Sequence, residues 1–391
     1  MRRFSSQYIF TNAGEPLKRG IVTTEDDGTI VRIEDTRGEL SESSAIEYYN
    51  GIIVPGFVNC HCHLELSHLK GVIKSGNGLP DFIMKVRTVR ETNPESITSA
   101  LFSADREMQD EGIVLCADIC NNSSTFDIKR ESRIKYINLL EVFGIDPKKA
   151  DKRMSDVLSL SAGSEKAGLK HSIVPHSAYS VSLPLFRLIR EHNPQPEITS
   201  IHFQETEAEE LFLSAHSGPL RDSYEANGIM PSLPELAESH IRVIENEIPG
   251  YGSLILVHNT YTERKTIAAI RNRQNTFFCL CPGSNLYIEN KLPPLDLLSA
   301  EKCDIVLGTD SLSSNTRLSI LHEMKILQEH FPETGLTDLI KWATINGARA
   351  LREDGMFGSI ECGKRPGLLL LENADLINLK LLPGTTVKKL I

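Results

Sequence analysis

The chain has 391 residues, 40% of them hydrophobic and 24% charged, and carries a net charge of −10. That length suits two average domains or one large barrel with an appendage, and the composition is that of a globular protein with a sizeable core. The acidic balance, with no basic cluster, argues against nucleic acid or anionic membrane as the main partner, because phosphate binding needs gathered Lys and Arg. Arg2 and Arg3 precede no apolar core of secretory length, and no stretch approaches the ~20 apolar residues of a membrane span. A cytoplasmic protein is expected. The eight cysteines include no C-x-x-C pair, so reduced, buried thiols are expected rather than a disulfide framework.

In chain order, residues 7–52 hold short β-like pieces, Gly20–Thr24 and Thr29–Glu34, separated by the turn Asp26-Asp27-Gly28. Eight apolar strand candidates follow: Ile52–Asn59, Gly112–Asp118, Ile134–Val142, His171–Pro175, Ile198–Phe203, Leu254–His258, Thr276–Cys281 and Cys303–Thr309. Amphipathic stretches such as Ile97–Asp110 and Leu183–Glu191 lie between them. Most of the strands read as continuous Val/Ile/Leu/Cys runs, the pattern of strands covered on both faces. The longest interval, Leu211–Gly252, contains Pro231, Pro234 and Pro249 and a helical pattern from Leu233 to Ile248; it reads as an insertion near the substrate mouth. β-like pieces return at Gly367–Leu371 and Gly384–Val387. The fold class predicted is α/β: a (β/α)8 TIM-like barrel over residues 54–355, with a small β-sandwich domain built from both termini, residues 1–53 and 356–391.

Chemistry-bearing residues gather at the C-terminal ends of the predicted strands, where barrel active sites sit. His61-Cys62-His63 follows the first apolar run, and residues i and i+2 of a strand face the same side, so both imidazoles can reach one ion. With 12 histidines in the chain, roughly one such sequence in three would contain H-x-H by chance, so position carries the argument. Ile198–Phe203 delivers His202, followed by Glu205. Leu254–Val257 delivers His258, and Cys303–Thr309 delivers Asp310. Zinc takes imidazole nitrogen and carboxylate oxygen and keeps one position for water in catalytic sites. His61, His63, His202 and Asp310 are therefore the expected ligands, leaving Glu205 and His258 for proton transfer and for steadying the water or a developing oxyanion. Taken singly, a strand-end histidine such as His258 is more often structural or merely exposed, Asp310 reads also as a helix N-cap, and Glu205, with Glu207, Glu209 and Glu210 beside it, as part of a solvated helix face. The order of the set along the strands makes coincidence a poor explanation.

The sequence resembles the amidohydrolase superfamily, in the branch of the cytosine deaminases, adenosylhomocysteine deaminases and triazine chlorohydrolases. The resemblance begins at Val54-Pro55-Gly56-Phe57-Val58-Asn59-Cys60-His61-Cys62-His63 and continues through Pro175-His176-Ser177, His202-Phe203-Gln204-Glu205-Thr206 and Val257-His258-Asn259. It runs on through Cys281-Pro282-Gly283-Ser284-Asn285, Gly308-Thr309-Asp310-Ser311 and Ala343-Thr344-Ile345-Asn346-Gly347-Ala348. The family's G-K-x-A-D reads Gly363-Lys364-Arg365-Pro366-Gly367 here, a departure that falls in the small β domain. His63-Leu64-Glu65-Leu66-Ser67 and Gly308–Asn315 resemble the aminodeoxyfutalosine deaminases and their relatives.

The resemblance implies metal ligands at His61, His63, His202 and Asp310, with Glu205 as the proton shuttle to a ring nitrogen. His258 would contact metal-bound hydroxide, Asp310 would take up the water proton, and His176 and Glu65 would face substrate. It implies one divalent ion, zinc first with Fe or Mn open, since the fourth strand end shows His176 and no lysine for a carbamate bridge. The activity implied is that of an amidohydrolase acting on carbon–nitrogen bonds other than peptide bonds: hydrolytic deamination of an aminated heterocycle such as a 6-aminopurine nucleoside derivative of aminodeoxyfutalosine or adenosylhomocysteine type. Hydrolysis of a cyclic amide, an imidazolone or a chlorinated ring is the alternative, and a non-catalytic metal-binding protein a more distant one. A small heterocyclic substrate is the expected partner, and a homodimer is expected by analogy.

Overall fold

A computed structural model describes residues 1–41, 45–91, 93–229, 236–271, 273 and 275–391. Eight strands run parallel in two arcs of four: Phe57–Cys62, Ile113–Cys120, Lys135–Val142 and His171–Pro175, then Ile198–Phe203, Ser253–His258, Thr276–Leu280 and Asp304–Leu307. Both seams between the arcs are bridged. The His202 N–H donates to the His176 carbonyl at 2.8 Å, and the Thr309 and Asp310 N–H groups donate to the His61 carbonyl at 3.0 and 3.1 Å.

Side-chain alternation along the strands separates two apolar layers. One cluster takes residues from all eight strands, including Val58, Leu115, Ile137, Val174, Ile198, Val257, Cys279 and Val306, and fills the barrel interior. The alternate residues, among them Phe57, Cys116, Leu140 and Leu256, pack with helical residues such as Leu101 and Met108. The α/β barrel reading holds. Helices follow the strands as expected, Pro94–Asp110 and Leu183–His192 among them.

Both chain ends enter the small β domain, whose seven strands share one hydrogen-bonded ladder. Its order is Thr386–Lys389, Leu368–Glu372, Glu47–Pro55, Arg2–Ile9, Ile21–Thr24 and Ile30–Glu34, with Leu17–Lys18 beside Arg2–Ile9. Two details differ from the sequence reading. Arg2–Ile9, too polar in RRFSSQ to stand out, is a strand that reaches the start of the chain. The single predicted strand Ile52–Asn59 is two: Glu47–Pro55 ends in the small sheet, and Phe57–Cys62 opens the barrel. Gly56 makes the join, where a Cβ would lie 2.6 Å from the Pro366 carbonyl oxygen and 2.5 Å from a Val114 methyl. An unbroken apolar run hides that corner.

Within Leu211–Gly252 the structure describes a helix over His240–Asn246. Pro231, Pro234 and the start of the expected Leu233–Ile248 pattern lie outside the described residues. No helix among the described residues is long and apolar enough to cross a membrane. All eight cysteines are free, six of them buried, while Cys303 is half-buried and Cys362 exposed, against the expectation of burial.

One buried ion pair fastens the outer layer to the start of the site. Lys129 Nζ lies 2.5 Å from Asp118 Oδ2 and donates to Asn138 Oδ1 at 2.8 Å, and neither charged side chain touches solvent. Asp118 Oδ1 accepts the N–H of Leu64, the residue after His63, at 2.7 Å. Removing one partner of such a pair strands the other charge in the interior. Lys129→Met is expected to lower the unfolding free energy by about 3–5 kcal/mol, read from the denaturant midpoint. A loss below ~1 kcal/mol would mean that the pair is not what holds Asp118 in place.

Candidate metal centre and active site

The strand ends bring His61, His63, His202, His258, Glu205 and Asp310 to one point at the C-terminal mouth. His61 and His63 Nε2 are 3.1 Å apart. Asp310 Oδ1 lies 3.7 Å from His61 Nε2 and 3.5 Å from His63 Nε2. One donor atom from each of His61, His63 and His202 falls within 4.8 Å of the others. The His202 and His258 rings stack at 5.4 Å, and the His61 ring stands edge-on to His202 at 4.9 Å.

Several contacts aim these groups. His202 Nδ1 is 3.0 Å from the His176 carbonyl oxygen; that acceptor makes Nδ1 the protonated nitrogen and leaves Nε2 with a lone pair. Asp310 Oδ2 accepts from the Ser284 and Ser314 hydroxyls at 2.6 and 2.7 Å, which turns Oδ1 toward the imidazoles. Asn285 Nδ2 sits 3.3 Å from His258 Nδ1. Gly308 lets the eighth strand pass close to the first, since a Cβ there would meet His61 Cβ at 2.8 Å. Gln204, His258, Asn259 and Asp310 all have φ between 48° and 78°, a conformation that costs energy in non-glycine residues and clusters at functional sites.

Electrostatics follow from burial. Burial holds the His63, His202 and His258 imidazoles well below their ordinary range, keeping them neutral and able to act as ligands. Burial alone would raise Asp310, but the neighbouring His61, His63 and His258 imidazoles hold it well below the usual carboxylate range. Glu205 goes the other way: burial, with Glu209 and Asp310 nearby, pushes its carboxyl well above the ordinary value. An acid and a carboxylate thus stand in one pocket at neutral pH. Glu205 Oε1 is 3.6 Å from His258 Nε2. The donor set of three buried imidazoles and a carboxylate, with two Nε2 atoms converging at 3.1 Å, fits a divalent ion.

His176 is placed beside this group, its ring stacked on His202 at 4.5 Å. Its Nδ1 is taken by the Ser177 and Ser180 hydroxyls, and burial lowers its pKa to about 4. Glu65 is buried, but both its oxygens are engaged rather than open to substrate: one pairs with Arg90 and the other accepts the Asn121 N–H at 3.0 Å. The sequence reading missed the residues that aim the set. Ser284, Asn285 and Ser314 lay inside the quoted motifs without a role. Glu209, read as solvated acidic company, is fully buried; its Oε1 accepts the N–H groups of Glu205 and Thr206 at 2.9 and 3.0 Å. Its Oε2 lies 3.3 Å from His240 Nε2, on the helix His240–Asn246. Nothing in a run of four glutamates marks which one turns inward.

A model of the amidohydrolase family matches residues 52–389, and the chain belongs to that family. Among its relatives are an aminodeoxyfutalosine deaminase of a Nitratiruptor species, 26% identical over 347 residues that cover 84% of this chain and 81% of the relative, and an adenosine deaminase of Helicobacter pylori, 24% identical over 337 residues (82% and 79%). In fold the chain is similar to the Helicobacter pylori aminofutalosine deaminase solved with methylthio-coformycin, with a TM-score of 0.79, 20% identity and full coverage of both chains. It is also similar to a Xanthomonas campestris adenosine deaminase with bound zinc, with a TM-score of 0.70 and 19% identity, covering 96% of this chain and 85% of that one.

Burial pushes Glu209 up to about 8 from an ordinary 4.5. The folded state therefore holds a proton that the unfolded chain releases, so stability falls as pH rises from about 4.5 through about 8. Glu209→Gln, which keeps the acceptor for both N–H groups, is expected to flatten that decline. Its melting temperature relative to wild type should rise between pH 5 and pH 9; a pH-independent difference would mean that Glu209 does not titrate in this window.

Proposed function

We propose that the chain is a hydrolytic deaminase of 6-aminopurine nucleoside derivatives that works with a single divalent ion, zinc first, held by His61, His63, His202 and Asp310. The observation that carries this reading is the convergence of three buried imidazoles and Asp310 beside a buried Glu205 whose carboxyl is pushed well above its ordinary value. The deaminase names of the relatives support the substrate class.

An ion held there supplies Lewis acidity, lowering the pKa of a ligated water from about 15.7 to about 7. The chain's own residues do the rest. Protonated Glu205 donates to the ring nitrogen next to the amine-bearing carbon, making that carbon electrophilic as water adds. Asp310 accepts one proton of the attacking water and passes it to the amine, which leaves as ammonia, while the remaining hydroxyl proton of the adduct returns to Glu205 as the carbonyl forms. His258, its Nδ1 turned to Asn285, presents Nε2 to the reacting oxygen. Buried walls exclude bulk water, so these few dipoles act in a low dielectric. His176 lines the substrate side, and Glu65 acts there through Arg90 and Asn121.

Residence in the cytoplasm is part of the proposal, supported by eight free thiols, as is a homodimer, by analogy. The division into 54–355 and the two terminal segments is supported by the separate apolar cluster of Phe4, Ile53, Leu370 and their neighbours.

The test is ammonia release from adenosine, 5-methylthioadenosine, S-adenosylhomocysteine and aminodeoxyfutalosine, with metal content measured in parallel. At least one is expected to turn over. Glu205→Gln should lower kcat by about 10²–10⁴-fold, and chelation should abolish turnover until zinc is restored. Fully metallated enzyme that releases no ammonia from any of the four would sink the purine reading and move the search to cyclic amides, imidazolones and chlorinated rings.

A further inference from the structure

We propose that Glu141, at the end of the third barrel strand, is a positioning residue for the metal centre: it orients His202 and balances the positive charge that His202 shares when an ion binds. The inference rests on the metal-centre reading above.

Glu141 lies in the strand Lys135–Val142, and its side chain is 3% exposed. Its Oε2 is held by Asn121 Nδ2 at 2.9 Å. Its Oε1 is buried and has no hydrogen-bond partner. That free oxygen lies 3.6 Å from His202 Nδ1, on the side of the ring away from the nitrogen left for an ion. A buried carboxylate oxygen without a donor is costly unless positive charge stands nearby. Among the described residues no Lys or Arg pairs with Glu141; Arg90, the nearest cation in the chain of contacts, reaches only Asn121 Oδ1, at 3.3 Å, and Glu65.

The geometry matches a recurrent arrangement in metalloenzymes. A ligand imidazole donates its second N–H to a carbonyl or carboxylate, which fixes the ring and raises its basicity. Here the Nδ1–H donates to the His176 carbonyl, and Glu141 adds its charge at 3.6 Å. Asn121 couples Glu141 to Glu65, because its amide side chain holds the first and its backbone N–H holds the second. The order Glu65, Asn121, Glu141, His202 is a line of contacts from the short 3-10 helix after His63 to the fifth strand.

The same donors allow a rival. Atoms of Glu141, His176 and His202 lie within 4.8 Å of one another, close enough to hold an ion of their own. His202 Nδ1 and His176 Nδ1 are already engaged, by the His176 carbonyl and by two serine hydroxyls. Only His176 Nε2 and Glu141 Oε1 are left uncommitted, too few for a closed site, so positioning is the better account.

The test is zinc binding by chelator competition, with stoichiometry, on wild type, Glu141→Gln and Asn121→Ala, supported by the visible spectrum of the cobalt-substituted forms. One equivalent is expected in each. Affinity should fall about 10- to 100-fold in Glu141→Gln and by less in Asn121→Ala, with altered cobalt bands and an unchanged melting temperature of the metal-free proteins. Affinities within twofold of wild type would overturn the inference while leaving the metal centre intact. Two equivalents in wild type, the second lost in Glu141→Gln, would overturn it in favour of the rival ion. A wild type that binds no ion would overturn the function proposed above as well.

Discussion

The hydrogen bonds from Thr309 and Asp310 to the His61 carbonyl close the barrel and assemble the site in one act. They join the last strand to the first, so Asp310 arrives within 3.5 Å of His63 although 247 residues separate them. Gly308 makes the approach feasible, because any side chain there would press on His61 Cβ. On the far side, the bond from the His202 N–H to the His176 carbonyl does the same for the second seam. Each seam passes through a residue of the site, so fold closure and site geometry are one constraint.

Burial then sorts the roles. Two carboxyl groups diverge because their neighbours differ: Asp310 sits among the His61, His63 and His258 imidazoles, while Glu205 is buried beside the acids Glu209 and Asp310. One is held ionised and the other protonated, a division of labour suited to adding water at one atom while protonating another. The backbone of Glu205 is itself fastened by Glu209, and Asp310 by two serines. These supporting contacts cost the chain several buried polar groups, which is why they occupy the mouth and leave the barrel interior apolar.

Much of this was legible in the linear chain. Eight apolar strand candidates, most of them continuous runs, alternating with amphipathic stretches announce a parallel sheet covered on both faces, and the period-2 geometry of His61 and His63 follows from strand pleating. What was not legible had physical reasons. The break at Gly56 is silent because residues on both sides are apolar for different cores. Arg2–Ile9 is a strand because neighbours pair with it on both sides, not because its own sequence favours one. Glu209 and Glu210 are adjacent acids in one helix, yet one is buried and the other exposed, a difference set by helix phase against the barrel.

By itself, then, the sequence determined the class of fold and the types of group at the strand ends, because both depend on local periodicity and on residue chemistry. The tertiary structure alone decided which oxygen of Asp310 faces the imidazoles, which nitrogen of His202 is free, and that Glu65 is tied to Arg90 rather than open to the mouth. It also set Glu141 beside His202, from a strand whose pattern announces only burial. Those choices turn on contacts between residues far apart in the chain. Their energies come from desolvation and hydrogen bonding, and both exist only once the barrel has closed.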